Sequence, residues 1–281
     1  MLKINHNYER IYANIIRFNR QYLKANTGLK TLIIGVSGGI DSALTCALAY
    51  ETLKNIPTVR QIGRSIAIES NTQNEIKRAE SIGQAFCDTY EEIDLTVSFH
   101  NLYKDLVSSE RSQDNVSYDE KIRRGNLKAR MRMCFLFDLA HFENGMVLST
   151  DNYTEFLLGF WTLHGDVGNF GMLQFLWKTE VYGLAGYLSD KYKTEGQSDL
   201  SDALQACIDA IPTDGLGITS SDFEQIGVSD YGEADRILID YLNGNSALAT
   251  HPIVKKHLQT GFKRSDPNNI GREIILGVSE K

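Results

Sequence analysis

The chain has 281 residues, with 29 Lys and Arg against 36 Asp and Glu, for a formal net charge of −7. That length allows one large α/β domain or two smaller ones, and a chain of this size needs no disulfide or metal staple to hold a core. A hydrophobic share of 42% and a charged share of 23% exclude wholesale disorder, and the acidic balance argues against a general duplex-DNA binder, which needs a basic face.

The N-terminal stretch MLKINHNYER lacks the apolar run of a signal peptide, and no segment approaches the ~18 apolar residues of a membrane helix. A cytoplasmic protein with no nucleic-acid or membrane partner is expected. Cys46, Cys87, Cys134 and Cys207 form no CxxC pair and read as small buried hydrophobes in a reduced compartment.

In chain order, Tyr8, Ile11, Tyr12, Ile15, Ile16, Tyr22 and Leu23 follow helical spacing over residues 6–24. Thr31 to Val36 (TLIIGV) is a short β-branched run suited to a buried parallel strand. After Ser37-Gly38-Gly39, Asp41 to Leu53 reads as a helix. Ile62 to Ser70 predicts a second strand, Gln73 to Phe86 a helix, and Tyr90 to Leu95 a weaker strand. Gly125 to Phe142 predicts a long helix, Met146 to Thr150 (MVLST) another buried strand, Asn152 to Leu163 a helix, and Glu180 to Lys191 a further one. Strands alternating with helices of ten or more residues indicate an α/β fold, a doubly wound parallel sheet in three α/β/α layers. Ligands of such sheets bind beyond the carboxyl ends of the strands. That rule selects the loops after TLIIGV and MVLST.

The first loop reads Gly35-Val36-Ser37-Gly38-Gly39-Ile40-Asp41-Ser42. Its glycines allow close backbone approach, and the helix that follows aims N–H groups and its positive dipole end at the loop. Ser37 and Ser42 add hydroxyl donors. The result is an anion cradle of phosphate or pyrophosphate size. Asp41 is out of place there unless a cation such as Mg²⁺ bridges it to the phosphates; the plainer reading is a dipole partner in the first turn. A Walker loop fails for want of a lysine after Gly39, and no Gly-x-Gly-x-x-Gly is present.

SGGIDS after an apolar strand resembles the PP-loop of the ATP pyrophosphatases, which split ATP between its α- and β-phosphates. Further stretches narrow the resemblance. RGNLKARMRM (Arg124 to Met133), STDNYTEFLLGFWTLHGDVG (Ser149 to Gly168), SNTQNEIKRA (Ser70 to Ala79), Ile211-Pro212-Thr213 and TGFKRSDP (Thr260 to Pro267) resemble, in order, segments of the ammonia-dependent NAD synthetases. The match is collinear from about residue 8 to residue 270.

That resemblance implies a Rossmann-like fold of the adenine nucleotide alpha hydrolase type, one synthetase domain over 1–281, and no glutaminase domain. It implies a ligase with Mg²⁺ as cofactor and ATP as co-substrate. Nicotinic acid adenine dinucleotide is adenylated on its carboxylate, then amidated by ammonia. It also implies a homodimer. Residue by residue, Ser37, Gly38, Gly39 and Ser42 would hold pyrophosphate, with Gln73, Thr150, Lys178 and Thr213 as further ATP contacts. Asp41 and Glu155 would hold the metal. Asn126, Arg130, Phe160, Trp161 and Lys263 would bind the dinucleotide, and Asp166 would sit beside the reacting carboxyl and the ammonia. Asp41, Asp166 and Lys178 would be the catalytic set. Plainer readings stand beside several of these: Glu155 as a solvated helix-face acid, Gln73 as a surface amide, one of the two aromatics as core. Arg132 matches the same dinucleotide-binding helix, but Arg130 shares the helical face of Asn126 while Arg132 points elsewhere, so its plainer reading is a surface salt-bridge arginine.

The chain departs from the resemblance at Ala67, at Asn152 where a His is usual, near Asn169-Phe170, at Phe262, and at Leu216-Gly217-Ile218. These cluster on the acceptor and lid side. The alternatives are a PP-loop ligase or amidase that adenylates another carboxylate, or a non-catalytic nucleotide-binding homologue.

Overall fold

The structure is a computed structural model and describes residues 1–69, 71–106, 117–213, 216–219, 221–265 and 269–276. Ser70, Asp266 and Pro267, parts of two matched stretches, lie outside the described residues.

Five parallel strands form the sheet: β1 (Thr31–Gly35), β2 (Arg60–Ala67), β3 (Thr89–Asp94), β4 (Gly145–Ser149) and β5 (Phe170–Gly171), in the order β3-β2-β1-β4-β5. Side chains alternate across the sheet. Leu32 and Ile34 face one apolar layer, while Ile33 faces the other with Ile62, Met133 and Val147. This is the period-two consequence of the pleat.

The first layer is made by α1 (Tyr8–Ala25), α2 (Ile40–Leu53), α3 (Gln73–Phe86), α7 (Lys178–Thr194) and α8 (Ser198–Ile208). The second is made by α4 (Thr96–Leu106) and α5 (Tyr118–Phe142). A third apolar cluster joins α6 (Tyr153–Leu158) to the C-terminal α9 (Asp222–Ile226), α10 (Tyr231–Leu242) and α11 (Pro252–Gln259), through Leu157, Leu158, Ile226, Leu238 and Ile253. A short α12 (Arg272–Leu276) follows.

The chain runs from β1 to β2 on one side and returns to β4 on the other, so the switch point lies between β1 and β4. The crevice above such a point is where doubly wound sheets bind ligands. It is flanked by the two loops that the sequence singled out.

Some boundaries differ from the sequence reading. The helix expected over Asn152 to Leu163 stops at Leu158, because Gly159 takes a left-handed φ of 61° and its hydrogen faces Thr260; a Cβ there would sit 2.4 Å from Thr260 Cβ. The strand expected over Ile62 to Ser70 is Arg60–Ala67, and the helix expected from Gly125 begins at Tyr118. Strand β5 has no apolar run to announce it. Of the cysteines, Cys46 and Cys207 are buried as expected, but Cys134 is exposed on α5. No described helix is long and apolar enough to cross a membrane.

Candidate active site

A cavity of about 530 Å³ opens above the carboxyl ends of β1 and β4. Its floor is the β1–α2 loop, which shapes itself by short-range bonds. The Ser37 amide N–H donates to Ser42 Oγ (3.2 Å), the two serine hydroxyls lie 3.1 Å apart, Gly39 N–H donates to Ser37 Oγ (3.2 Å), and Ser42 Oγ donates to the Gly39 carbonyl (3.0 Å). Gly38 has φ 79°, and a Cβ on it would lie 2.3 Å from the Glu75 carbonyl oxygen. No other residue fits that turn against α3. The Gly38 carbonyl accepts from Arg78 Nε at 2.8 Å, so α3 locks the loop from behind.

Three charged side chains converge beside this loop. Asp41, in the first turn of α2, pairs with the Lys178 ammonium at the start of α7, which also donates to Glu155 Oε1 of α6 at 2.8 Å. Lys178 is only 2% exposed. Asn152 caps α6 by accepting the Glu155 N–H (3.0 Å) and turns its amide onto Asp41 Oδ1 (2.9 Å). The residue that departs from the usual His is therefore built into the cluster. Burial works against the Lys178 charge, but attraction to Asp41 and Glu155 outweighs it and holds the ammonium pKa well above its ordinary value. Two carboxyl groups share one ammonium in this cluster. Burial, reinforced by Asp41 and opposed by Lys178, accordingly pushes the Glu155 carboxyl up.

A second acidic pair lines the same cavity. Asp151 is 7% exposed and accepts the Ser149 hydroxyl at 2.8 Å. Burial first, then the neighbouring Asp166, pushes it up to about 7. Asp166 accepts the backbone N–H of Thr162, and burial raises its pKa too.

The far wall comes from distant segments. Lys263 donates to the carbonyls of Gly159 (2.7 Å) and Trp161 and lies 5.6 Å from the Trp161 ring. Thr213 closes over α3 by donating to Glu75 Oε1 at 2.6 Å. Asn126 accepts the Thr162 hydroxyl at 2.7 Å.

Most of the sequence-selected residues therefore meet at one cavity: Ser37, Gly39, Asp41, Ser42, Thr150 and Glu155 on the side of the β1–α2 loop, and Asn126, Phe160, Trp161, Asp166, Lys178, Thr213 and Lys263 around it. Two do not. Gln73 is exposed at the N-terminus of α3 and lies outside the cavity lining, where Glu75 and Arg78 take its place. Arg130 is exposed and turns away, its Nε donating to the Leu163 carbonyl at 3.0 Å. Arg132, read from sequence as a surface arginine, lines the cavity instead and donates to the Ile66 carbonyl (3.0 Å) and Asn71 Oδ1 (3.1 Å). The stripe of α5 that faces the cavity is Ile122, Asn126, Met133 and Leu136. A long side chain at 132 reaches it from the flank beside β2. Sequence reading missed Asp151, Glu75, Arg78 and Lys256 as lining residues; only the position of Asp151 just after a strand end could have signalled it.

The donor set suits a hard cation of limited protein coordination. Asp41 and Glu155 already enclose a positive charge, that of Lys178, and Mg²⁺ is commonly held by one or two carboxylates plus substrate phosphates. Among the described residues no group of three or more His, Cys, Asp or Glu forms an all-protein metal cage.

The NAD synthase family profile matches residues 11–267. The chain belongs to the NAD synthase family. An NH(3)-dependent NAD(+) synthetase of Thermoplasma acidophilum is 29% identical over 267 residues, covering 94% of this chain and 98% of its own. Among solved structures, an NMN synthetase from Francisella tularensis superposes with a TM-score of 0.73 at 23% identity, covering 92% of this chain and 96% of that one. An NH3-dependent NAD synthetase from Campylobacter jejuni gives 0.66 at 21%, over 95% and 98%. At those identities the structural likeness speaks for the fold.

Proposed function

We propose that the protein is an ammonia-dependent NAD synthetase, a ligase that uses ATP to turn nicotinic acid adenine dinucleotide into NAD. The observation that carries this reading is the meeting of Asp41, Glu155 and Lys178 beside the Ser37–Ser42 loop, in one cavity with Asp166 and Lys263.

A carboxylate is a poor electrophile until its oxygen becomes part of a leaving group. The nicotinate oxygen attacks the α-phosphorus of ATP, the α–β bond breaks, and pyrophosphate departs. Ser37, Gly38, Gly39 and Ser42, at the N-terminus of α2, would hold that pyrophosphate. Asp41 and Glu155 would hold Mg²⁺, which when bound offsets the charge of the phosphates. Lys178 supplies a further positive charge as pyrophosphate leaves. Ammonia then attacks the acyl carbon, and the bond to AMP breaks. Asp166, with Asp151 beside it, is placed to hold ammonium and accept its proton; raised carboxyl pKa values suit a base working near neutrality. Lys263 and Arg132 offer cations to the acceptor's phosphate. A single domain fed by free ammonia, a homodimeric assembly and cytoplasmic residence complete the reading.

The second reading is a mononucleotide acceptor, giving NMN, the product named for the Francisella protein. The displacement of Arg130 from the cavity lining, with Arg132 there in its place, favours it, since the acceptor-side cation does not stand where a dinucleotide site was expected to hold it.

Purified protein is incubated with ATP, Mg²⁺ and ammonium, together with either nicotinic acid adenine dinucleotide or its mononucleotide counterpart. Equal yields of NAD and AMP are expected. A kcat/KM for the mononucleotide higher by about tenfold or more would establish the second reading. Absence of AMP with both acceptors would sink ligase activity and leave a nucleotide-binding homologue. Asp41→Asn is expected to slow pyrophosphate release by roughly 100-fold or more.

A further inference from the structure

Helix α10 belongs to the C-terminal cluster and supplies no lining residue to the cavity, yet one of its carboxylates reaches both helices that carry the charged triad. Asp235 is 1% exposed. Its Oδ1 accepts the hydroxyl of Thr154, and its Oδ2 accepts the backbone N–H (2.9 Å) and the hydroxyl (2.6 Å) of Thr179. The Thr154 hydroxyl oxygen also accepts the backbone N–H of Lys178 at 2.8 Å. Thr154 immediately precedes Glu155, and Thr179 immediately follows Lys178. One buried carboxylate thus ties together the first turns of α6 and α7, at the residues next to Glu155 and Lys178.

The need for such a tie is physical. Helix α6 has six residues, too few to hold its own direction. Helix α7 presents its N-terminal end, with the Thr179 N–H, to Asp235, while α6 reaches it through the Thr154 hydroxyl. One turn before Asp235, Tyr231 of α10 sets its ring 4.9 Å from the Lys178 ammonium and donates its hydroxyl to Asp222 (2.7 Å).

We propose that Asp235 is a positioning residue for the ATP half of the reaction: it sets α6 against α7 so that Glu155 and Lys178 converge on Asp41. Asp235 touches no reacting group and acts through Thr154 and Thr179. The proposal rests on the metal and phosphate roles given above to Glu155 and Lys178.

The test uses the full chain. Mn²⁺ is titrated calorimetrically in the presence of α,β-methylene-ATP, and KM values are measured for ATP and for the acceptor. Asp235→Asn keeps the volume but turns a donor toward Thr154 or Thr179. It is expected to weaken Mn²⁺ binding and lower kcat by about tenfold, the range seen when a partner behind a metal ligand is changed. The acceptor KM should stay within about twofold, so the loss divides unevenly between the two substrates. Thr179→Val, which removes one of the three bonds, should fall between wild type and Asp235→Asn, and serves in its place if the latter does not fold. In a Glu155→Gln background, Asp235→Asn should add little further loss of Mn²⁺ binding. The proposal is overturned if folded Asp235→Asn or Thr179→Val binds Mn²⁺ and ATP as wild type does, or if both substrates suffer in proportion to the folded fraction. If Glu155→Gln itself binds Mn²⁺ unchanged, the metal reading fails first and the proposal with it, an outcome distinct from an inert Asp235→Asn.

Discussion

At the β1–α2 loop, the bonds among Ser37, Gly39 and Ser42 all span five residues or fewer. At the opposite wall of the same cavity, Lys263 finds the Gly159 carbonyl across 104 residues of chain, and Thr213 finds Glu75 across 138. The first wall is shaped by one strand, one turn and one helix N-terminus. The second exists only where α3, α5, the segment after α6 and the chain after α11 come together. A wall made locally keeps its shape as long as its β–α unit folds. A wall made of distant pieces can change ligand through the loss or gain of a single long side chain. Of the departures from family pattern, Leu216 and Ile218 fall on that second wall and Phe262 stands exposed beside Lys263, whereas Asn152 is absorbed as a helix cap and a donor to Asp41.

The comparison is open to three tests in descending order of effect. Lys178→Met strands Asp41 and Glu155 as buried like charges without their counter-ion, and is expected to cost about 3–5 kcal/mol of stability. Burial raises the wild-type Glu155 carboxyl to about 8, and loss of the ammonium raises it further, so both proteins hold that proton at pH 6 while wild type alone carries the ionised carboxylate beside Lys178 at pH 9, and the deficit should grow from pH 6 to pH 9. The wild-type ammonium stays charged throughout that range. Denaturant titrations at the two pH values measure it; an equal deficit at both would mean that the nucleotide wall does not depend on this charge balance.

Asp151→Asn should act in the opposite direction. Its carboxyl is pushed up to about 7 from 3.8, so the folded state holds a proton that the unfolded chain releases as pH rises between those values. The charged form is the penalised one, and wild-type stability falls across that window. The variant should therefore be more stable than wild type at pH 8, by up to ~4 kcal/mol, and nearly equal to it at pH 4. Thermal melts at both pH values decide, and a gain at pH 4 alone would contradict the burial argument.

The smallest effect probes the distant wall. Arg132→Ala should raise the acceptor KM by about tenfold while Arg130→Ala changes it by less than about twofold, with the ATP KM steady in both. The reverse ranking would restore the sequence-based assignment and remove the claim that this wall was rebuilt.

The legible part of the fold was the part with strong local signals. Apolar β-branched runs located β1 and β4, and α3 begins at Gln73 as expected, its first turn held in the structure by a Thr72–Glu75 capping box. Strand β5, of two residues, has no period to detect. The C-terminal helices α9 to α11 are held by a cluster whose buried members run from Leu157 to Ile253. Arg130 and Arg132 were ranked by helical phase, which tells which face a Cα occupies but not where a flexible guanidinium ends.

By itself, the sequence determined the glycine loop between β1 and α2, the parallel sheet and the candidates Asp41, Glu155, Asp166, Lys178 and Lys263 that line the cavity, because glycine turns, strand runs and helix starts are set by neighbours along the chain. Only the tertiary structure decided that Lys178 lies between Asp41 and Glu155, that Arg132 rather than Arg130 reaches the cavity, that Asp151 is buried enough to hold a proton near neutrality, and that Asp235 joins α6 to α7. Each of these depends on burial and on contact between distant segments, and neither is encoded in local spacing.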